Sequence, residues 1–447
     1  MRFETEIQST VCCDVLVVGG GMAGFGAAVA AARQGASVML AEENSYLGGT
    51  ATAGLVSPMM TCFDTGGETQ IIRGIFSELV DRLVAVGGAV PPADCRKNDS
   101  YSGYKMKGHL GTTPVDKEKL KLIMERMCRE AGVILKYRYL FVGAETEGRF
   151  IRACTFATNN GFYRIEAKSV IDCTGDAAVC YRAGGECYFS DETGALQPVS
   201  TFFLIDGVDK ERLDDLLLST TDERARAFMD LLAEERAEHG FPCGTVKVRL
   251  YEQPGGIWSV NMCQIDHPFD VNDPDCLTEA EIEGREQAHA IFDFLVRRVP
   301  GLEHARLLQT SDRVGVRESR RIAGEYLLTY EDLCASRMFE DAVVVLSNSV
   351  DVHTSGAVNY RAFANPAPYS IPYRSLVHRD FDNLWSAGKT VSADRLAHGA
   401  VRVMPPCVAM GQAAGIAAAM SAKDGTPARE IAAAALREQL KQEGAYL

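Results

Sequence analysis

The stretch DVLVVGGGMAGFGAA, Asp14 to Ala28, constrains this chain more than any other. Cys13 to Val18 is a near-continuous apolar run, the pattern of a parallel strand buried on both faces. Gly19, Gly21 and Gly24 follow in the spacing G-x-G-x-x-G. Alanines at 27, 28, 30, 31 and 32 suit a helix that packs closely on a sheet, and Gly35 stops it. Ala36–Glu43 reads as a second strand ending in acids, which completes one βαβ unit with a dinucleotide fingerprint. Gly19 permits the tight turn. Gly21 lets the backbone approach a pyrophosphate, and Gly24 lets the helix press on its strand with its N-terminus toward the phosphates. Glu42, 23 residues after Gly19, is at the right distance to accept hydrogen bonds from a ribose.

Later segments bear on which dinucleotide this is. A second glycine pair, in YLGGTATAGLVSPM (Tyr46–Met59), suits a loop folding over an extended ligand. VIDCTGDAAVCYRAGG (Val170–Gly185) reads as strand, Thr-Gly-Asp, helix, a further backbone approach to the same ligand. Between them, Phe76–Gly88 and Val115–Gly132 read as amphipathic helices, the second N-capped by Asp116. Val90–Pro114 reads as a polar loop or lid. Val133–Gly175 reads as a small β-meander returning to a buried strand at Ser169–Cys173.

Residues 186–335 mix short β-like runs with charged helices, such as Lys210–His239 and Leu277–Val299, and carry no glycine fingerprint. They read as an inserted second domain. The chain then returns to an apolar strand, Ala342–Ser347, and a Gly/Ala-rich end.

Bulk properties exclude some classes. A net charge of −14 without long Lys/Arg runs argues against nucleic-acid binding, which needs a basic face. The 14 cysteines include no C-x-x-C pair, so the common zinc and iron–sulfur spacings are missing, and Cys173, Cys180 and Cys187 are not at a ligand spacing. Reduced, buried thiols in the cytoplasm are the expectation. The polar start MRFETEIQST does not read as a secretory signal, and Ala413–Ala422 is too short to span a bilayer.

The order DVLVVGGGMAG, LGGTATAGLV, GETQIIRGIFSEL, VDKEKLK, VIDCTGDAAV, LQPVSTFFLIDGVD, GVRESRRIAGEYLLTYED, IPYRSLVHRDFDNLWSAGK, GAVRVMPPCVAMGQAAG resembles the FAD-dependent oxidoreductase family, from about Cys13 to Ala422. That family is distantly similar to the fumarate reductase and glutathione reductase flavoproteins. The resemblance implies an α/β fold: a discontinuous Rossmann-like FAD-binding domain of glutathione reductase type (residues 11–185 and 336–425), an inserted α+β substrate or cap domain (186–335) and a helical tail (426–447). It implies that Gly19, Gly21 and Gly24 hold the FAD pyrophosphate and Glu42 the adenosine ribose. Gly48, Gly49 and Thr50 would line the phosphate and ribityl path, and Phe141 would offer backbone to the adenine. Gly175 and Asp176 match a family Thr-Gly-Asp. Gly388, Val403 and Met404 would lie near the ribityl chain and the ring, with helix Pro406–Ala418 aimed at the flavin. Related flavoproteins often carry an acid where this chain has Lys389, which puts a carboxylate contact to the ribityl chain in doubt.

With one G-x-G-x-x-G and no redox-active cysteine pair, a separate NAD(P)H domain is not expected. Electrons would pass between a small-molecule substrate and flavin N5, oxidising C–OH or C–N or reducing C=C, and then reach oxygen, a quinone or an acceptor protein. His353 in DVHTSG and His398 in LAHGAVR are acid–base candidates, although a structural, hydrogen-bonded histidine is the plainer reading of each. Arg317, Arg320 and Arg321 in GVRESRR, and Arg402, are candidates to clamp a carboxylate or polarise a carbonyl. Glu318 and Glu325, at helical spacing, are expected partners of Arg321. Arg402 is favoured because its motif should abut the flavin. An electron-transfer subunit and a nicotinamide-dependent dehydrogenase are the rival readings. Self-association stays open.

Overall fold

A computed structural model describes residues 6–60, 62–96, 111–190, 196–217, 222–240, 250–265, 270–354, 357–361 and 367–447. The apolar run opens as strand β1 (Ile7–Val18), followed by helix α1 (Met22–Arg33) and β2 (Val38–Glu42). Helices α2 (Ile75–Ala85), α3 (Pro92–Arg96) and α4 (Lys117–Glu130) come next. Asp116 caps α4 by accepting from the N–H groups of Glu118 and Lys119. The short α3 interrupts the expected loop, of which residues 97–110 lie outside the described residues.

β3 (Ile134–Tyr137) leaves the expected meander and pairs in parallel with β2. The meander itself is β4 (Leu140–Glu147), β5 (Phe150–Thr158) and β6 (Gly161–Asp172). The sheet runs β3-β2-β1-β6-β5-β4. β6 does two jobs along its length. It runs parallel to β1 along nearly its whole length, placing Asp172 beside Val18, while its other edge pairs antiparallel with β5 in the first half and parallel with the late strand Leu384–Ser386 at the buried end. Helix α5 (Ala178–Arg182) and the short strand β7 (Cys187–Tyr188) follow.

A second, antiparallel sheet uses β8 (Phe203–Asp206), β9 (Leu250–Gln253), β10 (Ile257–Val260) and β11 (Arg306–Thr310), ordered β11-β8-β10-β9. Between its strands lie α6 (Lys210–Leu217), α7 (Asp222–His239) and the long α8 (Pro274–Arg298). Successive strand residues face opposite ways. Phe203 and Ile205 bury against Ile291, Phe294 and Leu295 of α8, whereas Phe202 and Leu204 pack on Leu55. The second sheet is thereby docked on the loop that follows the second glycine pair. Asp312 N–H to Ala53 O (2.8 Å) and Ser259 Oγ to Leu55 O (3.3 Å) fix the contact.

β12 (Arg321–Ile322) pairs with β7, so GVRESRR is extended rather than helical. This corrects the helical pairing expected of it: Glu318 does bind Arg321 (3.0 Å), but Glu325 pairs with Arg429 (2.9 Å). α9 (Tyr330–Cys334), β13 (Ala342–Leu346), the hairpin β14 (Val350–Thr354) and β15 (Ala357–Arg361), and β16 (Tyr369–Pro372) lead to β17 (Leu384–Ser386). β13 pairs with β16 outside the main sheet, and β17 joins β6 in parallel. α10 (Arg395–Val401), α11 (Met404–Asp424) and α12 (Ala433–Gln442) close the chain. α11 is longer at both ends than the sequence suggests.

α11 is buried nearly all round, as expected of a core helix. It crosses α1 at backbone contact. A Cβ on Gly411 would lie 2.0 Å from Ala23 O, one on Gly415 2.2 Å from Ala27 O, and one on Gly26 2.5 Å from Val408 O. Among the described residues no single helix is long and apolar enough to cross a membrane; α10 and α11 pass only as a pair bent by 93°. Gly411→Ala forces the two helices apart and should cost about 1–3 kcal/mol, read as a lower midpoint in urea unfolding. An unchanged midpoint would remove this crossing as a constraint.

Candidate functional site

Four backbone segments meet around the start of α1. Gly19, at φ 97°, donates to Ala41 O (2.8 Å) and turns the chain from β1 into the helix. A Cβ on Gly24 would lie 1.8 Å from Gly19 O, so only glycine lets the helix sit on its own turn. The second glycine pair lies alongside: Gly48 N–H donates to Gly20 O (2.9 Å), and Gly21 and Gly48 form a parallel bridge. A Cβ on Gly49 would come within 3.1 Å of Gly21 Cα. Thr50 stands exposed on the short turn Gly49–Ala51.

Glu42, at the end of β2, is buried. Its Oε2 accepts from Gly20 N–H (2.6 Å) and its Oε1 from Asn44 N–H (2.8 Å). Burial pushes the carboxyl up, against the pull of those amides. Glu42 therefore also braces the glycine turn, a role its sequence position does not show. α1 begins at Gly21 with no side-chain cap and no acid in its first turn. Its first N–H groups and positive dipole end are left for an anion.

The Thr-Gly-Asp turn is built by a residue the sequence did not single out. Asp172, fully buried at the end of β6, accepts from Thr174 N–H (3.1 Å), Thr174 Oγ1 (2.7 Å) and Cys180 N–H (3.0 Å). Burial pushes its carboxyl up to about 6. Gly175 follows at φ 83°, its carbonyl held by Ser319 Oγ (2.8 Å), and Asp176 is half-buried beyond it. Gly388 lies where a Cβ would be 3.0 Å from Ala23 Cβ, and a Cβ on Gly175 would be 3.2 Å from Lys389 Cε. Gly388 and Lys389 thus sit between α1 and this turn. Lys389 Nζ donates to Val316 O (2.8 Å); burial lowers the amine to about 8, opposed by Asp176. Phe141, on β4, pairs with Phe156 and stacks edge-on against it at 5.9 Å.

The structure gathers three of the six acid–base and clamp candidates, Arg402, Arg317 and His353. Arg402 ends α10, just before Val403 and Met404 open α11. Its Nη2 donates to Asp351 O (3.0 Å) and Gln197 Oε1 (3.3 Å), and its Nη1 to Arg317 O (3.3 Å). Arg402 Nε is buried without a hydrogen-bond partner, as is Gln197 Nε2. Arg317 Nη1 donates to Pro198 O (2.5 Å). His353, on β14, is buried with Nε2 3.2 Å from Asp351 Oδ1, and its N–H donates to Gln197 Oε1 (3.1 Å). Gln197 was invisible in the sequence because only the fold brings it to β14. Burial works to raise Asp351, yet His353, Arg402 and Arg317 hold it well below the usual carboxylate range. Burial and Arg317 lower His353 to about 4 despite Asp351.

Of the other three, His398 is fully buried in α10. Its Nε2 meets Lys389 O at 2.8 Å, and burial holds the ring neutral. Arg320 lies over the Tyr181 ring (4.0 Å), and Arg321 is paired with Glu318, which also meets Arg395 (3.2 Å).

Uncapped first-turn amides, glycine backbone on three sides and a buried acid at the end of β2 fit a dinucleotide diphosphate and its ribose. The chain matches the family of FAD dependent oxidoreductases over residues 14–440. It belongs to that family: it is an FAD-dependent oxidoreductase with a mixed α/β fold around a largely parallel sheet. One curated relative, 4-oxocyclohex-2-ene-1-carboxylate 5-dehydrogenase of Sinomonas cyclohexanicum, is 52% identical over 50 residues, 11% of this chain. The chain spans only 8% of that relative. Similar solved structures include p-nitrophenol 4-monooxygenase of Pseudomonas putida DLL-E4 (11% identity, 98% of this chain and 87% of that one, TM-score 0.48). Another is a geranylgeranyl bacteriochlorophyll reductase-like protein of Thermoplasma acidophilum (13% identity, 97% and 82%, TM-score 0.44).

Two outcomes follow from this geometry. Glu42→Ala should weaken FAD binding about 10- to 100-fold in a fluorescence titration while the protein stays folded; unchanged affinity would remove Glu42 from the site. Burial and Arg317 lower His353 to about 4, so the ring is neutral near physiological pH. The pH profile of flavin reduction should therefore show no inflection near 6.5 that belongs to this residue. An inflection there that disappears in His353→Gln would contradict it.

Proposed function

We propose that this oxidoreductase transfers hydride between flavin N5 and a small organic substrate carrying a carboxylate or carbonyl. The observation that carries this reading is the half-buried Arg402, whose buried Nε lacks a partner while its Nη groups are fixed on backbone and Gln197. A guanidinium held in this way is pre-aimed, and its unmet donor favours an anionic or carbonyl oxygen. Arg317 adds a second positive charge beside it. FAD, when bound, supplies the two-electron centre.

In this reading, Gly19, Gly21 and Gly24 with the first amides of α1 hold the diphosphate, and Glu42 the ribose. Gly48, Gly49, Thr50, Gly175, Asp176 and Gly388 line the path to the ring, Phe141 the adenine side, and Val403 and Met404 the ring itself. His353 carries its proton on Nε2 toward Asp351, which leaves Nδ1 as the lone-pair nitrogen for proton transfer at the substrate. His398 is a positioning residue, holding the Lys389 carbonyl and with it the Gly388 turn.

The reading divides the chain into a discontinuous FAD-binding part of glutathione reductase type (11–185 and 336–425), a cap (186–335) and a tail (426–447). It places the protein in the cytoplasm, passing electrons on to oxygen, a quinone or an acceptor protein. The curated relative is likewise named for dehydrogenation of a carboxylate.

Arg402→Ala should slow flavin reduction by substrate about 100-fold or more in anaerobic stopped flow, with FAD content little changed. A panel of small carboxylates and their amides identifies the substrate. Equal loss of reduction and FAD content would make Arg402 a cofactor residue and overturn the clamp.

A further inference from the structure

Cys180 and Cys187 are seven apart in sequence, and the fold brings their Sγ atoms to 3.4 Å. Cys180 is buried in α5; Cys187 is half-buried on β7. The turn between them is rigid. Gly185 N–H donates to Cys180 O (2.9 Å), and a Cβ on Gly185 would lie 2.9 Å from Cys180 Sγ and 2.7 Å from the Phe381 ring. Glu186 is held on three sides. Its N–H meets Asp380 Oδ2 (3.1 Å), its carbonyl meets His378 Nε2 (2.9 Å), and its carboxylate pairs with Arg379. The thiols are thus kept in contact, and joining them needs the sulfurs to close from 3.4 Å to bonding distance.

The two sulfurs are not equivalent. Either thiol can donate to the other, but Cys187 is the more exposed of the two, and a hydrogen bond from Cys180 together with Arg320 favours its thiolate against burial and Asp172. The hydrogen bond and burial hold the Cys180 thiol protonated. Elsewhere burial is the main cause that pushes Cys62, Cys95, Cys128 and Cys407 up to about 12, so they are poor nucleophiles.

We propose that Cys180 and Cys187 form a reversible dithiol modification site that reacts with hydrogen peroxide and closes to an intramolecular disulfide. The Cys187 thiolate attacks one peroxide oxygen; the O–O bond breaks, giving a sulfenic acid on Cys187 and hydroxide, which takes a proton from solvent. The Cys180 sulfur then attacks the Cys187 sulfur. The S–S bond forms, the S–O bond breaks, and the departing oxygen leaves as water with the Cys180 proton. Two thiols are oxidised by two electrons, and one peroxide is reduced to two waters. The disulfide staples α5, just after the Thr-Gly-Asp turn, to β7, whose Cys187 pairs with Ile322 of β12 beside the Arg321–Glu318 pair.

The test is a hydrogen peroxide titration of the FAD-loaded full chain, followed by alkylation and peptide mapping without reductant. Cys12, the one exposed thiol among the described residues, serves as the internal gauge of oxidant delivery. The expected result is a Cys180–Cys187 disulfide formed before half of Cys12 is consumed and reversed by dithiothreitol. Cys180→Ser should instead leave a Cys187 sulfenic acid that dimedone traps, and Cys187→Ser should leave Cys180 unoxidised. The proposal is overturned if both thiols still alkylate once half of Cys12 is gone. It is equally overturned if wild-type Cys187 goes to sulfinic acid without joining Cys180.

Discussion

Backbone-to-backbone contact along α1 is the constraint on which the rest depends. At its start, Gly24 lets the helix rest on the Gly19 carbonyl; farther along, Gly26 meets Val408 O, and Gly411 and Gly415 of α11 meet Ala23 O and Ala27 O. No side chain fits in these contacts, so the two helices act as one rigid block. The first turn of α1 then serves as a fixed point. Gly48 and Gly49 and Gly388 approach it, and the Cys173–Thr174 backbone meets Gly19 just before it, each set by a different part of the chain. The same block fixes where α11 begins, and hence where Arg402 stands.

Electrostatics in the second half of the site follow from burial. Drawing Arg402, Arg317, Asp351 and His353 into a partly shielded cluster penalises every charge that is not matched. The arginines and Asp351 settle this by mutual attraction, and His353 by staying neutral. Gln197 bridges the two, accepting from Arg402 and from the His353 backbone. A polar cluster in this state is pre-organised, because its donors are already oriented before a ligand arrives.

Local periodicity made part of this legible. The βαβ unit, the capped α4, the glycine spacing and Glu42 are short-range features, and their geometry follows from residues within a few turns of one another. Asp172, Gln197, the Cys180–Cys187 contact and the real partner of Glu325 were not legible, each for the same reason. A strand such as β6 can pair with β1, β5 and β17 at once, and nothing in its own sequence names those neighbours. GVRESRR shows the limit well: its charges sit at helical spacing, but pairing of Arg321 and Ile322 with β7 holds it extended.

By itself the sequence determined a tight glycine turn between a buried strand and one alanine-rich helix, because only glycine permits the close approaches found there. Only the tertiary structure decided which distant groups share that neighbourhood. The insertion lays its second sheet on Leu55, β14 brings His353 and Asp351 under Arg402, and β7 brings Cys187 to Cys180. Those contacts are set by packing between elements far apart in the chain, where burial and backbone pairing, rather than residue spacing, choose the partners.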